Sequence, residues 1–251
     1  MTELPAGLGA LELVLAAATV FAAFTVRGMS GFGAGMIGIP LLAFVMPVHT
    51  AVPMFSILVL TLFVIISIRD WKAVVREELQ RLLLPTLLGV ALGIILLQQL
   101  DNRMLLKLLG GLLIAYATYA TAVRIFGLPQ LNCSPRWAFP VGFVGAVIDT
   151  VFSGGGGTLV VIYLHMRGVG REPFRATVAV VWLVEMVARM VGYGAAGYYT
   201  LGTLVLCAIL LPLMWGGTYL GERIGNRISP ETFSKVLSAL LALTGLMLLV
   251  K

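Results

Sequence analysis

Apolar residues run along this chain in blocks, and the charged residues fall mostly between them. Ten blocks can be drawn: Leu8–Val26, Gly28–Met46, Ala51–Ile68, Leu82–Leu100, Met104–Phe126, Trp137–Phe152, Ser153–Met166, Arg175–Tyr198, Leu201–Leu220 and Glu231–Val250. A helix that crosses a bilayer core of ~30 Å needs about 20 apolar residues, and most of these blocks match that length. None shows the alternation of period two that a membrane β-barrel requires. The pattern predicts an all-α polytopic membrane protein. Prolines stand near several block starts (Pro53, Pro140, Pro230), where a missing N–H costs little. Ser229-Pro230-Glu231 reads as an N-cap, a first-turn proline and an acidic first turn. The opening block has no basic stretch before it and runs to Arg27 without a small-residue cleavage site, so it reads as a first span and not as a signal peptide.

Composition supports the pattern. Of 251 residues, 60% are hydrophobic and 11% charged, with a mean hydropathy of +1.03. A soluble domain carries roughly 25% charged residues, so this chain lacks the polar surface to stay in water. The net charge of +6 lies in short loops, which suits membrane orientation better than nucleic-acid binding. With the Arg69–Arg81 loop in the cytoplasm, alternation places Arg27, Arg69, Lys72, Arg76, Arg81, Arg124, Arg136, Arg167, Arg171, Arg175, Arg223, Arg227 and Lys235 inside. Arg103, Lys107 and Lys251 fall outside, and Arg189 lies within a block. This asymmetry supports ten crossings with both termini external. Cys133 and Cys207 have neither metal-ligand spacing nor the look of a disulfide framework, and no metal or cofactor is expected.

The two halves repeat each other. Gly33-Ala34-Gly35-Met36-Ile37 matches Gly155-Gly156-Gly157-Thr158-Leu159. Leu84-Pro85-Thr86-Leu87-Leu88-Gly89 matches Leu211-Pro212-Leu213-Met214-Trp215-Gly216. Asn102-Arg103 matches Asn226-Arg227, and Leu106-Lys107-Leu108-Leu109 echoes Ser234-Lys235-Val236-Leu237. Matches in the same order at similar offsets indicate duplication. The expected organisation is a first repeat over 1–126, a cytoplasmic linker over 127–136 and a second repeat over 137–251, together one transport domain. Five crossings per half is an odd number, so the second half enters the membrane inverted, the plan of many secondary transporters.

The second segment of each half is broken by glycine. In the second half, Ser153-Gly154-Gly155-Gly156-Gly157 precedes a run, Thr158–Met166, too short to cross alone. An extended Ser153–Gly157 would add the missing reach. In the first half, Arg27-Gly28-Met29-Ser30-Gly31-Phe32-Gly33-Ala34-Gly35 precedes a half-helix starting near Met36. Unwound backbone at membrane depth is tolerated only against protein or a water-filled cavity. Half-helix N-termini carry partial positive charge and free N–H groups, so two of them make an anion site. The expected substrate-binding residues are Ser30, Gly31, Gly33, Gly35, Ser153, Gly154, Gly155, Gly156, Gly157, Thr158 and Arg189, with hydroxyls adding donors. The alternative for the glycines is close helix packing, the reading adopted for the isolated Gly89 and Gly93.

These paired motifs, Gly-Phe-Gly-Ala-Gly-Met-Ile-Gly-Ile-Pro-Leu and Ser-Gly-Gly-Gly-Gly-Thr-Leu-Val-Val, resemble the two repeats of the TauE/SafE sulfite exporter family. The resemblance covers nearly the whole chain, including the basic third-to-fourth loop. It implies outward movement of sulfite, of sulfonates such as sulfoacetate, or of related small anions across a bacterial inner membrane. The second repeat departs from the first in having Ile162 where Pro40 stands.

Ionisable residues inside the membrane cost on the order of 2.5–3.5 kcal/mol each on insertion scales and need a reason. Glu185 and Arg189 are four apart on one helical face, which fits a mutually neutralising pair. Proton coupling through Glu185 and anion contact through Arg189 are the functional alternative. Asp149 shares a face with Gly142, Gly145 and Ser153 just before the second break. It reads either as a capping group or as a carboxylate that must be protonated before an anion binds, which would link transport to protons. Gly28-Met29-Ser30-Gly31 also fits a Gly-x-Ser-Gly pattern of intramembrane serine proteases. That chemistry needs a histidine within reach, and His49 and His165 both sit at segment ends. A passive anion channel or a structural membrane subunit is the third class. The expected partners are a small anion, the lipid bilayer and, in a homodimer, a second copy of the chain, with no nucleic acid.

Overall fold

The computed structural model describes residues 8–30, 33–126, 133–225 and 241–250. Among the described residues there are ten α-helices: α1 (Ala10–Ser30), α2 (Ala34–Leu42), α3 (Val48–Asp70), α4 (Arg76–Gln99), α5 (Asn102–Phe126), α6 (Ala138–Phe152), α7 (Gly157–Met166), α8 (Arg171–Ala195) and α9 (Leu201–Gly225), then α10 (Leu241–Val250). Each falls on one of the ten apolar blocks. By length and composition, four of them can cross a membrane: Ala10–Met29, Arg76–Gln99, Glu172–Ala195 and Leu201–Ile224. The chain is therefore helical throughout its described parts and suited to a polytopic membrane protein. Gly31, the linker residues 127–132 and the stretch 226–240, which holds the Ser229-Pro230-Glu231 cap, lie outside the described residues.

The helices gather into two compact units. One comprises Met1–Phe55, Leu100–Leu128 and Tyr199–Lys251; the other comprises Ser56–Gln99 and Pro129–Tyr198. In the first unit α1 packs along α9. Glycines bring the two backbones together: a Cβ on Gly28 would strike the carbonyl of Thr218, and one on Gly221 the carbonyl of Thr25. Small residues serve this purpose in membranes, where burial against lipid offers no hydrophobic gain. In the second unit α4 packs along α6. There a Cβ on Gly89 would strike the carbonyl of Phe143, and one on Gly93 would lie 2.6 Å from Cβ of Thr150. The packing role expected for Gly89 and Gly93 is thus seen directly. Under the expected repeat, α1 would correspond to α6 and α4 to α9, so the two pairings would be counterparts.

Two local expectations change. The first break does not begin at Arg27: Arg27, Gly28, Met29 and Ser30 all belong to α1. Glycine disfavours a helix by about 1 kcal/mol, but the contact of Gly28 with α9 needs both a helix and a missing side chain. The second break is not extended. Ser153 is left-handed (φ 53°), Gly155 is left-handed (φ 99°), and the Ser153 N–H donates to the Asp149 carbonyl at 2.7 Å. The chain reverses there, and α7 returns alongside α6. Its far end reaches the residues before α6, where the Cys133 N–H donates to the Met166 carbonyl at 3.2 Å. At 1.5 Å per residue, α6 is about 22 Å long, short of a ~30 Å core. The tip of this hairpin therefore falls within membrane depth if its two ends lie at one face.

Candidate anion site at the second glycine break

The break in the second unit is built on α6. Asp149 lies one turn before the helix end and is buried, at 8% exposure. Its Oδ1 accepts a hydrogen bond from the Gly156 N–H at 3.0 Å. A side chain of α6 therefore occupies the first amide of the returning helix, the place where an N-terminus favours negative charge. The free donors expected from the sequence are, at Gly156, already engaged by an internal carboxylate. Thr158 N–H donates to the Gly155 carbonyl at 3.3 Å and Leu159 N–H to the Gly156 carbonyl at 2.9 Å.

Close approach makes this possible. A Cβ on Gly156 would run into the Gly145 carbonyl, and one on Gly157 would lie 2.6 Å from Nε1 of Trp182. Gly155 supplies the left-handed turn, which an L side chain adopts only at a cost. Ser153 Oγ meets Ser56 Oγ on α3 at 3.1 Å.

The α8 helix brings the opposite charge. Arg189 and Glu185 are buried, at 4% and 3% exposure, with Nε to Oε1 at 3.6 Å. That separation is an ion pair but too long for a hydrogen bond. Arg189 Nη1 instead donates to the Asp149 main-chain carbonyl, and its Nη2 lies 3.2 Å from Met186 Sδ. One turn further on, Tyr193 Oη donates to the Thr150 carbonyl. Arg189 thus ties the end of α6 to α8 while balancing charge beside two carboxylates, Asp149 and Glu185.

In the first unit the matching feature is a left-handed Gly33 (φ 88°) ahead of α2, with Gly35 buried inside that helix. Gly33 and Gly155 are equivalent residues of the sequence repeat, and both are left-handed. Ser30 ends α1. Around α2, Gly38 packs on the Phe55 ring and Ala23, and Phe24 stacks on Phe55 at 5.2 Å.

The model of the family described as Sulfite exporter TauE/SafE matches residues 15–248, which takes in both breaks and reaches from α1 into α10. The chain belongs to that family. It is also similar to the probable inner membrane transporter protein TsaS of Comamonas testosteroni, at 31% identity over 163 residues. The match covers 64% of this chain and 66% of TsaS, so the chain spans just under two thirds of that relative. No solved structure matches.

Within this TauE/SafE family member, Asp149, Ser153, Gly154, Gly155, Gly156, Gly157, Thr158, Glu185 and Arg189 belong to one compact unit, and Ser30, Gly33 and Gly35 to the other. Trp182, Thr150 and Tyr193 were not anticipated. Trp182, Arg189 and Tyr193 lie at i, i+7 and i+11, one face of α8, and that spacing beside the Glu185–Arg189 pair was the available signal. Glu78 was missed as well. It is buried (4% exposed) and accepts from Tyr163 Oη at 2.6 Å and from Arg167 Nε at 2.9 Å. The Arg167 guanidinium, in the loop after α7, is held above its ordinary value chiefly by that bond. Glu78 lies in the first turn of α4, within the Arg69–Arg81 stretch whose charges in the sequence speak only to orientation.

Proposed function

We propose that this TauE/SafE membrane transporter exports small sulfur-containing anions, sulfite and sulfonates such as sulfoacetate, across the bacterial inner membrane in exchange for protons. The observation that carries the reading is the Asp149 carboxylate on the Gly156 amide, with Arg189 beside it. A helix start that holds a carboxylate this way has the charge and the donor to hold an oxyanion. The substrate takes the place of Asp149 on that amide, and a proton on Asp149 releases the amide for it. Ser153, Gly154, Gly155, Gly157 and Thr158 form the rest of this cradle, and Glu185 tunes the charge of Arg189. Ser30, Gly31, Gly33 and Gly35 form the counterpart in the first repeat. The basic loops face the cytoplasm, and both termini face out.

The test is transport in proteoliposomes against a panel of sulfur oxyanions, sulfonates and carboxylates. The reading expects saturable sulfite and sulfonate flux that responds to a proton gradient and shows counterflow. Flux without counterflow would mark a channel, and carboxylate flux alone would refute the substrate class. Orientation is checked with cysteines placed at Tyr199 and Lys72. An impermeant thiol reagent outside the cell should reach the first and not the second.

A further inference from the structure

The residues of α7 change character along one face. Gly157 lies at the break, Val160 and Leu164 follow, and Arg167 stands just past the helix end. Val160, Tyr163 and Leu164 belong to a buried apolar cluster with Leu82 of α4, Ala138 of α6, and Val178 and Val181 of α8. This cluster fills the space beyond the break on the side of the basic loops. One turn before Leu82 stands Glu78, where a polar cluster begins. Its Oε2 accepts from Tyr163 Oη at 2.6 Å. Its Oε1 accepts from Arg167 Nε at 2.9 Å and from Arg81 Nη1 at 3.0 Å. Arg167 also donates through Nη1 to the Cys133 carbonyl at 3.1 Å, just ahead of α6. One carboxylate on α4 therefore holds the free end of α7, and Arg167 relays that hold to the residue ahead of α6.

We infer that the α4–α7 seam is the gate that shuts the second break from the basic face, with the apolar cluster as its seal and Glu78 as its latch. The inference rests on the transporter reading, since a gate has meaning only where something passes. Two features distinguish a latch from a permanent brace. Its bonds converge on one residue, so a single change frees Tyr163 and Arg167 from α4 while the hairpin keeps its own bonds at Cys133. Its cations are also partly wet: the side chains of Arg81 and Arg167 are 37% and 25% exposed, against 5% for Glu78. Water can therefore take over the arginines' side of each pair when the seam opens. The Glu185–Arg189 pair, at 4% on both sides, has no such access to water. With α7 freed from α4 at its far end, the glycine turn at 153–156 is the hinge about which it can swing.

The experiment requires no substrate, so its outcome is separable from the substrate reading. In a cysteine-free background (Cys133→Ser, Cys207→Ala), Ser153→Cys reports access to the break. Its labelling rate by a small charged thiol reagent is measured from each face in oriented vesicles. Glu78→Gln should speed labelling from the basic face by about tenfold, the scale of losing a charge-assisted bond. Tyr163→Phe, which keeps both arginine contacts and the ring volume, should give roughly a two- to threefold rise. The opposite face should show no change in either variant. Unchanged rates in both variants would overturn the gate, as would equal rises from both faces, which would mean general loosening. A face-specific rise in a protein that moves no sulfite would refute the substrate reading and leave the gate standing.

Discussion

The two glycine breaks share a backbone plan and differ in chemistry. Each follows a longer helix (α1 or α6), turns through a left-handed glycine (Gly33 or Gly155) and opens a short helix of nine or ten residues. Beside α2, Gly38 meets Ala23 and the Phe55 ring, and the buried Arg27 precedes the break in α1. Around the second stand Asp149, Glu185 and Arg189, all buried. Under the repeat offset, Asp149 corresponds to Arg27, which is buried within α1. The left-handed glycine is kept at that offset, while the charges beside it differ. A left-handed turn needs glycine in both copies, whereas nothing in the turn itself asks for a carboxylate.

Three substitutions break or sharpen this contrast. The largest effect is expected from Arg189→Met, which leaves two buried carboxylates without their cation and costs about 3–5 kcal/mol. Adding Glu185→Gln should recover part of that loss in thermal unfolding, and only part, because Asp149 remains. Full recovery by the double variant would mean that Asp149 does not depend on Arg189. Next comes Gly156→Ala, whose Cβ meets the Gly145 carbonyl and would also lie 3.0 Å from Cγ of Asp149. Overpacking of this kind costs roughly 1–3 kcal/mol, so both melting temperature and anion affinity should fall. The smallest is Gly33→Ala, whose Cβ has open space and suffers only a left-handed φ, at about 1–2 kcal/mol. Equal losses at Gly33 and Gly156 would remove the packing difference between the breaks.

Much of this architecture could be read from the chain, for reasons that differ by element. Helix positions follow from apolar blocks because the membrane leaves the backbone few alternatives. The Glu185–Arg189 pair follows from spacing on one helix. That the chain breaks before α2 and α7 follows from glycine clusters repeated at one offset, whereas the left-handed turns replace an expected extended stretch over 153–157. What stayed hidden depends on the fold. That Asp149 reaches a backbone amide seven residues on required knowing that α7 doubles back along α6. That Gly28 continues a helix required the nearness of the Thr218 carbonyl. Glu78 meets Tyr163 and Arg167 from more than eighty residues away, and no local pattern encodes such a meeting.

The central claim is that substrate competes with Asp149 for the start of α7, and calorimetry on the purified protein tests it most directly. The titrant is a simple alkanesulfonate, whose charge stays fixed across the neutral range. In the parent, affinity should rise as pH falls, because a proton on Asp149 removes the competing anion from the Gly156 amide. Asp149→Asn should bind at least as tightly at every pH, with the pH dependence gone. Glu185, the other carboxylate at this corner, serves as the control, and Glu185→Gln should retain the slope. An Asp149→Asn protein that is folded and binds with the pH dependence of the parent would contradict the account.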